Sequence, residues 1–545
     1  MDMGMDMAAP PDVASPSPAT RNAQSKDPTS YFSYGEHSTT IIAHIALMIL
    51  AWCFILPTAV MLSSARSRLA LPSQFLFLAV NAVGLLIGII YNTQTPDLYE
   101  NNAHHKLGWV VTWIFTAQVV LALIFRYAGR GEAKNLPSRD FEHATFLPVA
   151  GDEEERLYQD RETQEYRWPD ESTQAASSSS DAEYNDFDKP DQSHPESSPP
   201  RHWYHSRVIA RLLSTRVLRI SNLTSNIIDR LILPLGFTTI ATGAITYGGI
   251  FHGKQVFNGA AHFIKGGIFF WYGILTLGRF MGAWADLGWA WNKKPPPASV
   301  VGGRWKARIP SAEFVESFVI FTYGVTNVFL EHLAGWGKAW TPRDLQHVSI
   351  SVMFFGGGLA GMLIESARIR EALNRTLLPP PSSPESHPRN KTEAETENEK
   401  WTPPPSQHVP LNPMPALVIL LLGMMMGSHH QDRMTSTMVH KQWGNMLVGF
   451  ALARGLTYIL LFMRPPTSYL PSRPPTEIVA AFCLVSGGLI FMLSARDVIL
   501  AMEAYELDPM FTFTVGMGVT AFIMSLVVLG IALRAWAVRR ERTTD

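Results

Sequence analysis

The stretch GSHHQDRMTSTMVHKQWG, residues 427–444, sets three histidines (His429, His430 and His440) and two methionines beside long apolar runs. Neutral imidazole is the commonest metal ligand and the usual axial ligand of haem iron, and thioether sulfur is a soft donor that favours Cu(I). Of the 17 histidines in the chain, His37, His44, His104, His105, His252, His262, His332, His347, His429, His430 and His440 lie in apolar runs or their short connections. The other six, His143, His194, His202, His205, His387 and His408, fall in or beside very polar inserts and read as solvated. A ring of imidazoles at one membrane depth can enclose a haem or a transition metal such as copper, with His262, His332, His347, His429, His430 and His440 as metal candidates. The competing reading is that imidazole, like tyrosine and tryptophan, simply suits a membrane interface.

Other groupings carry charge. His37 and His44 are seven residues apart, on one helical face, with Met48 a turn deeper. In AHFIKGG, His262 and Lys265 share a face, and an ammonium inside an apolar run needs a partner or a water path. Glu331 and His332 end one run, while Asp344 and His347 open the next. Arg454 follows His440 by fourteen residues, roughly 20 Å along a helix at 1.5 Å per residue. An arginine at that depth is either a functional site or half of an ion pair with another helix. The N-terminal MDMGMDM is a candidate Cu(I) cluster or a chance of composition.

Several function classes are excluded. A net charge of −1 argues against a nucleic-acid surface, so the expected partner is the lipid bilayer. The two cysteines, Cys53 and Cys483, both sit in apolar runs, which leaves no disulfide framework or thiolate zinc site. No GxSxG, HExxH, P-loop or Rossmann pattern occurs in a suitable context, so no catalytic residue is assigned and the question of enzymatic activity stays open.

The elements that position these residues are apolar runs long enough to cross a bilayer, which takes about 20 residues as a helix. Eleven runs qualify or nearly so: 41–63, 73–91, 107–128, 230–251, 260–282, 313–334, 346–366, 414–428, 443–463, 477–496 and 510–533. The eighth is short and the sixth carries Glu316 and Asn327, so these two depart furthest from the pattern. The expected fold is all-α, a polytopic membrane bundle of about eleven transmembrane helices. Lysine and arginine clusters after runs 1, 3, 5, 7 and 11 orient it with the N-terminus non-cytosolic and the C-terminus cytosolic, in an endomembrane or plasma membrane. Every one of the eleven histidines then falls at a non-cytosolic helix end.

Domain boundaries follow composition. Residues 1–36 form a flexible tail without signal-peptide character, 37–129 a three-helix module, and 130–205 an acidic, serine-rich linker. Residues 206–371 hold a basic amphipathic helix, expected to lie on the membrane surface, and transmembrane helices 4–7. A Pro/Glu-rich linker spans 372–413, and helices 8–11 occupy 414–545. Both linkers are too polar to bury a core and are expected to be disordered on the cytosolic side. Glycine runs such as FFGGGLAGM and HFIKGGIFF predict close helix packing.

The segments HIALMILAWCFILPTAVML from His44 and HHKLGWVVTWIFTAQVVLALI from His104 resemble the transmembrane cytochrome b family that passes electrons from ascorbate. That resemblance implies a haem b held between His44 and His104, with His105 as a substitute and Gly108 completing the H-x-x-x-G setting. The second haem pair of that family has no counterpart in runs 2 and 4. The segments VFNGAAHFIKGGIFFWYGILTLGRFMGAWADLGWAWN, PSAEFVESFVIFTYGVTNVFLEHL and HHQDRMTSTMVHKQWG resemble fungal YTP-type membrane proteins. Together these set the expected function as haem- or metal-dependent redox or metal handling at the non-cytosolic face. The alternatives are a haem-free ion- or proton-coupled transporter gated by Lys265, Glu331 and Arg454, and a degenerate module kept for protein interaction.

Overall fold

The computed structural model describes residues 30–132, 215–253, 255–290, 309–330, 339–366, 411–429, 431–468 and 473–544, with isolated positions between them. The N-terminal methionine cluster, all but the ends of both linkers, Glu331, His332 and His430 lie outside the described residues. The chain is an all-α bundle, and no strand occurs among the described residues. A helix satisfies every backbone N–H and C=O within its own segment, the requirement lipid imposes.

The helices are α1 (Ser38–Ser64), α2 (Ala70–Gln94), α3 (Ala103–Glu132), α4 (Thr215–Gly248), α5 (Gln255–Phe280) and α6 (Ala312–Leu330). They continue as α7 (Pro342–Glu365), α8 (Met414–Ser428), α9 (Met434–Met463), α10 (Thr476–Leu493) and α11 (Pro509–Thr544). Among the described residues, nine are long and apolar enough to span a membrane, and the two that are not are α6 and α8. These are the two runs the sequence marked as weakest. At 15 residues α8 rises only about 22 Å, short of the ~30 Å hydrocarbon core. Helix α6 has glutamates at 313 and 316. Both shelter in the bundle, α6 against α7 and α8 between α7 and α9.

The amphipathic segment before α4 is not a separate surface helix where it is described. From Thr215 it runs unbroken into the span, because no glycine or proline intervenes before Pro234. Asp229, near the membrane end of that stretch, turns inward and accepts hydrogen bonds from Ser63 Oγ of α1 (2.9 Å) and Gln118 Nε2 of α3 (2.5 Å).

Helices α1–α4 form one packing unit around Trp52, Phe77, Phe115 and Ile232. Its rings meet edge to face, Trp52 on Phe77 at 5.1 Å and Phe77 on Phe115 at 4.7 Å. Within α1, residues Leu50–Ile55 widen to a π-helix just before Pro57, which has no N–H to return to the preceding turn. The larger core lies in α5–α10, built on Phe269, Phe354, Trp443, Leu484 and Phe491. Close backbone approach holds this unit together, as the glycine runs predict. A Cβ on Gly266 of α5 would lie 2.6 Å from the Gly488 carbonyl of α10, and one on Gly423 of α8 would lie 2.7 Å from the Gly444 carbonyl of α9. Gly358 of the FFGGG run presses on the Phe321 backbone of α6 in the same way.

The two units are tied at both ends. At one end Tyr99 Oη donates to the Ile250 carbonyl (2.8 Å), and Phe32 packs on Tyr247 and Tyr505. At the other, Glu541 of α11 accepts from Ser67 Oγ (2.9 Å) and the Arg68 backbone (3.0 Å). Between these ties a cavity of about 1750 Å³ runs along α4 and α5.

Candidate functional site

His44, His104, His262, His347 and His440 lie within the first eight residues of α1, α3, α5, α7 and α9. Because the helices alternate in direction, these odd-numbered helices present their N-termini at one common end of the bundle. The structure thus gathers the imidazoles at a single rim. Local hydrogen bonding then sets their chemistry. His44 Nδ1 bonds the Gly84 carbonyl at 2.8 Å, and His104 Nδ1 bonds the Thr239 carbonyl at 3.1 Å. His262 Nδ1 and His440 Nδ1 bond the carbonyls of Asn258 and Ser436, one turn back on their own helices, each at 2.8 Å. A carbonyl only accepts, so each Nδ1 carries the proton and the neutral ring presents Nε2 as a lone-pair donor. That tautomer leaves Nε2 able to ligate a metal or haem iron.

The rings form two groups. His44 rests against Gly88 of α2 and His104 against Gly243 of α4. His105 points outward and is exposed, which leaves His104 as the inward member of the pair. In the other group, His262 and His440 are 6.4 Å apart between ring centroids and nearly perpendicular, with His347 and Lys265 in electrostatic range. Lys265 Nζ also sits 5.9 Å from the centre of the Tyr323 ring. No three His, Cys, Asp or Glu side chains converge to hold a metal ion among the described residues. His429, half-buried at the end of α8, completes the described candidates.

At the opposite end of the same helices lies a cluster of charges. Arg279, in the last turn of α5, donates from Nη2 to Glu313 (3.0 Å), from Nη1 to Glu316 (2.7 Å) and from Nε to the Trp289 carbonyl (2.9 Å). Arg454 of α9 pairs through Nη1 with the other oxygen of Glu316 (3.5 Å) and through Nε with Glu477 of α10 (2.8 Å). Arg473, just before α10, reaches Glu477 at 3.8 Å. Arg279, Arg454 and Glu477 are 0% exposed, Glu313 2% and Glu316 6%, so four helices converge on a dry network. Three guanidiniums and three carboxylates sum to zero, the condition under which buried charge is tolerable. Thr457 and Thr476 share a hydrogen bond beside it (2.7 Å), and Tyr458 donates to the Asn412 carbonyl (3.0 Å).

Arg454 is therefore an ion-pair partner on α9, and its carboxylates come from α6 and α10. Lys265 lies with the histidine group instead. Sequence reading singled out Arg454 and noted Glu316, but passed over Arg279, Glu313, Arg473 and Glu477. For Arg279, Glu313 and Glu477 the signal was an arginine or glutamate within the first or last turn of an apolar run, whereas Arg473 lies in the connection before one.

Residues 235–535 match the family described as Protein YTP1-like, C-terminal, and residues 25–128 match a domain of unknown function, DUF2427. An uncharacterized membrane protein of Schizosaccharomyces pombe is 34% identical over 518 residues, covering 93% of this chain and 96% of the relative. An uncharacterized membrane protein of Saccharomyces cerevisiae is 38% identical over 300 residues, 54% of this chain and 45% of the relative. Protein YTP1 of the same yeast is 26% identical over 183 residues, 33% and 30% of the two chains. No solved structure matches.

Proposed function

The chain belongs to the YTP1-like family of integral membrane proteins, and on that footing we propose that it is a proton-coupled transporter whose path runs through α5–α10. The observation that carries this reading is the six-charge network, each member drawn from water at a cost of several kcal/mol per ion. Ionisable side chains inside membrane bundles mark ion and proton pathways. Glu316 is the pivot, bridging Arg279 and Arg454 while lining the central cavity. Along α6, Glu316, Tyr323 and Asn327 recur at helical spacing on one face and all line that cavity. The file continues to Lys265, His347, His262 and His440 at the other end, where imidazole nitrogens can accept and donate hydrogen bonds along a path.

Liposomes holding the purified protein and a pH-sensitive dye test this under an imposed potential. Wild type is expected to carry protons, and E316Q to carry them at least about tenfold more slowly. Equal flux in the two, or none in wild type, rejects the path.

A second reading rests on α1–α4. His44 and His104 fit as axial ligands of one haem b, since each commits Nδ1 to a backbone carbonyl and keeps Nε2 for iron. When bound, haem would supply one-electron transfer. A reduced-minus-oxidised absorbance spectrum with a haem band that H44A abolishes supports this reading. Metal analysis of the same sample decides whether His262 and His440 hold copper.

A further inference from the structure

The cavity between the two packing units has a wall that neither reading uses. It reaches Tyr99 and Asn102 at the histidine end and Arg230 and Arg534 at the other, so it extends along the whole of α5. Those 26 residues rise about 39 Å, a membrane thickness. Its volume of about 1750 Å³ exceeds the roughly 300–1,000 Å³ of a small-molecule pocket. The middle of the wall is apolar, with Leu233, Phe237, Ile268 and Leu275 among its residues.

Besides Glu316, which is held in the charge network, four charged side chains stand at the end away from the histidines. The two acids are occupied, Asp229 by Ser63 and Gln118 and Asp286 by Lys306 Nζ at 2.8 Å. The two guanidiniums are not. Arg230 of α4 and Arg534 of α11 are exposed, line the same cavity from two different helices, and have no hydrogen-bond or ion-pair partner among the described residues. Guanidinium forks match phosphate oxygens two at a time. An apolar slot one membrane deep, with two uncompensated arginines at one mouth, is complementary to an acyl lipid with a phosphate head.

We propose that this cavity binds one anionic phospholipid, its phosphate between Arg230 and Arg534 and its chains along α4 and α5. The site does not depend on proton movement through the charge network, so the two ideas stand or fall separately.

Native mass spectrometry of the full chain in detergent tests it, titrating phosphatidic acid, diacylglycerol of the same chains, and inorganic phosphate. Phosphatidic acid is expected to form a one-to-one adduct that R230Q/R534Q weakens about tenfold or more. Leu275→Trp, which fills the slot without touching the arginines, is expected to weaken the same adduct. Diacylglycerol binding as tightly as phosphatidic acid overturns phosphate recognition. Inorganic phosphate binding as tightly assigns the arginines to a soluble anion and overturns the lipid. Unchanged phosphatidic acid binding in both variants overturns the site.

Discussion

Helices α1–α4 and α5–α10 hold polar side chains in an apolar interior by different means. In the first unit the pairs are almost all neutral: Trp52 Nε1 donates to Asn81 (2.9 Å), Asn81 donates to Thr112 (3.3 Å), and two imidazoles bond backbone carbonyls. A carboxylate there, Asp229, is met by a hydroxyl and an amide. In the second unit guanidiniums meet carboxylates in a closed set of six. A neutral pair that loses one member strands a dipole, but a balanced ionic set that loses one strands a whole charge. The first unit should therefore tolerate single polar substitutions that the second does not.

The largest expected effect breaks the charge balance. Arg454→Gln leaves Glu316 and Glu477 short of a cation and should cost about 3–5 kcal/mol, seen as loss of monodisperse protein or a strong drop in melting temperature. Next comes a matched pair of glycines. A side chain at Gly488 meets the Gly266 carbonyl and Phe270 backbone, whereas one at Gly88 meets only the His44 ring. Gly488→Leu should cost about 1–3 kcal/mol and Gly88→Leu less, because a ring can swing aside and a backbone cannot. Equal melting shifts in the two would erase that contrast. Trp52→Phe keeps the packing but strands Asn81, for about 1 kcal/mol in the same assay. The smallest effect is outside the bundle, where Arg433 pairs with Glu503 of the short helix Arg496–Ala504 on an exposed surface. Arg433→Gln should shift the melt by less than about 0.5 kcal/mol.

Much of the architecture was legible because lipid makes local composition decisive. Each run had to be helical by itself, and even the two marginal members, α6 and α8, announced themselves through Glu316 and a length of 15 residues. The common rim of His44, His104, His262, His347 and His440 also followed, since alternation of direction is a counting argument. The charge network did not. Arg279 and Glu477 are nearly two hundred positions apart, and helix periodicity says nothing about which distant helices touch. The union of α5 and α10 depends on Gly266 and Gly488 lying at the same depth, a matter of packing. Likewise the inward turn of Asp229 had no local sign, because nothing near it in sequence shows that Ser63 and Gln118 await it.

The ionic cluster also divides unevenly along the chain. Arg279, Glu313 and Glu316 precede the Pro/Glu-rich segment and sum to minus one, while Arg454, Arg473 and Glu477 follow it and sum to plus one. During synthesis the earlier helices would enter the bilayer with an excess anion, and the later ones would arrive carrying the matching cation. Neutrality is reached only when both halves have been threaded, so the completed protein is marked electrically as well as sterically.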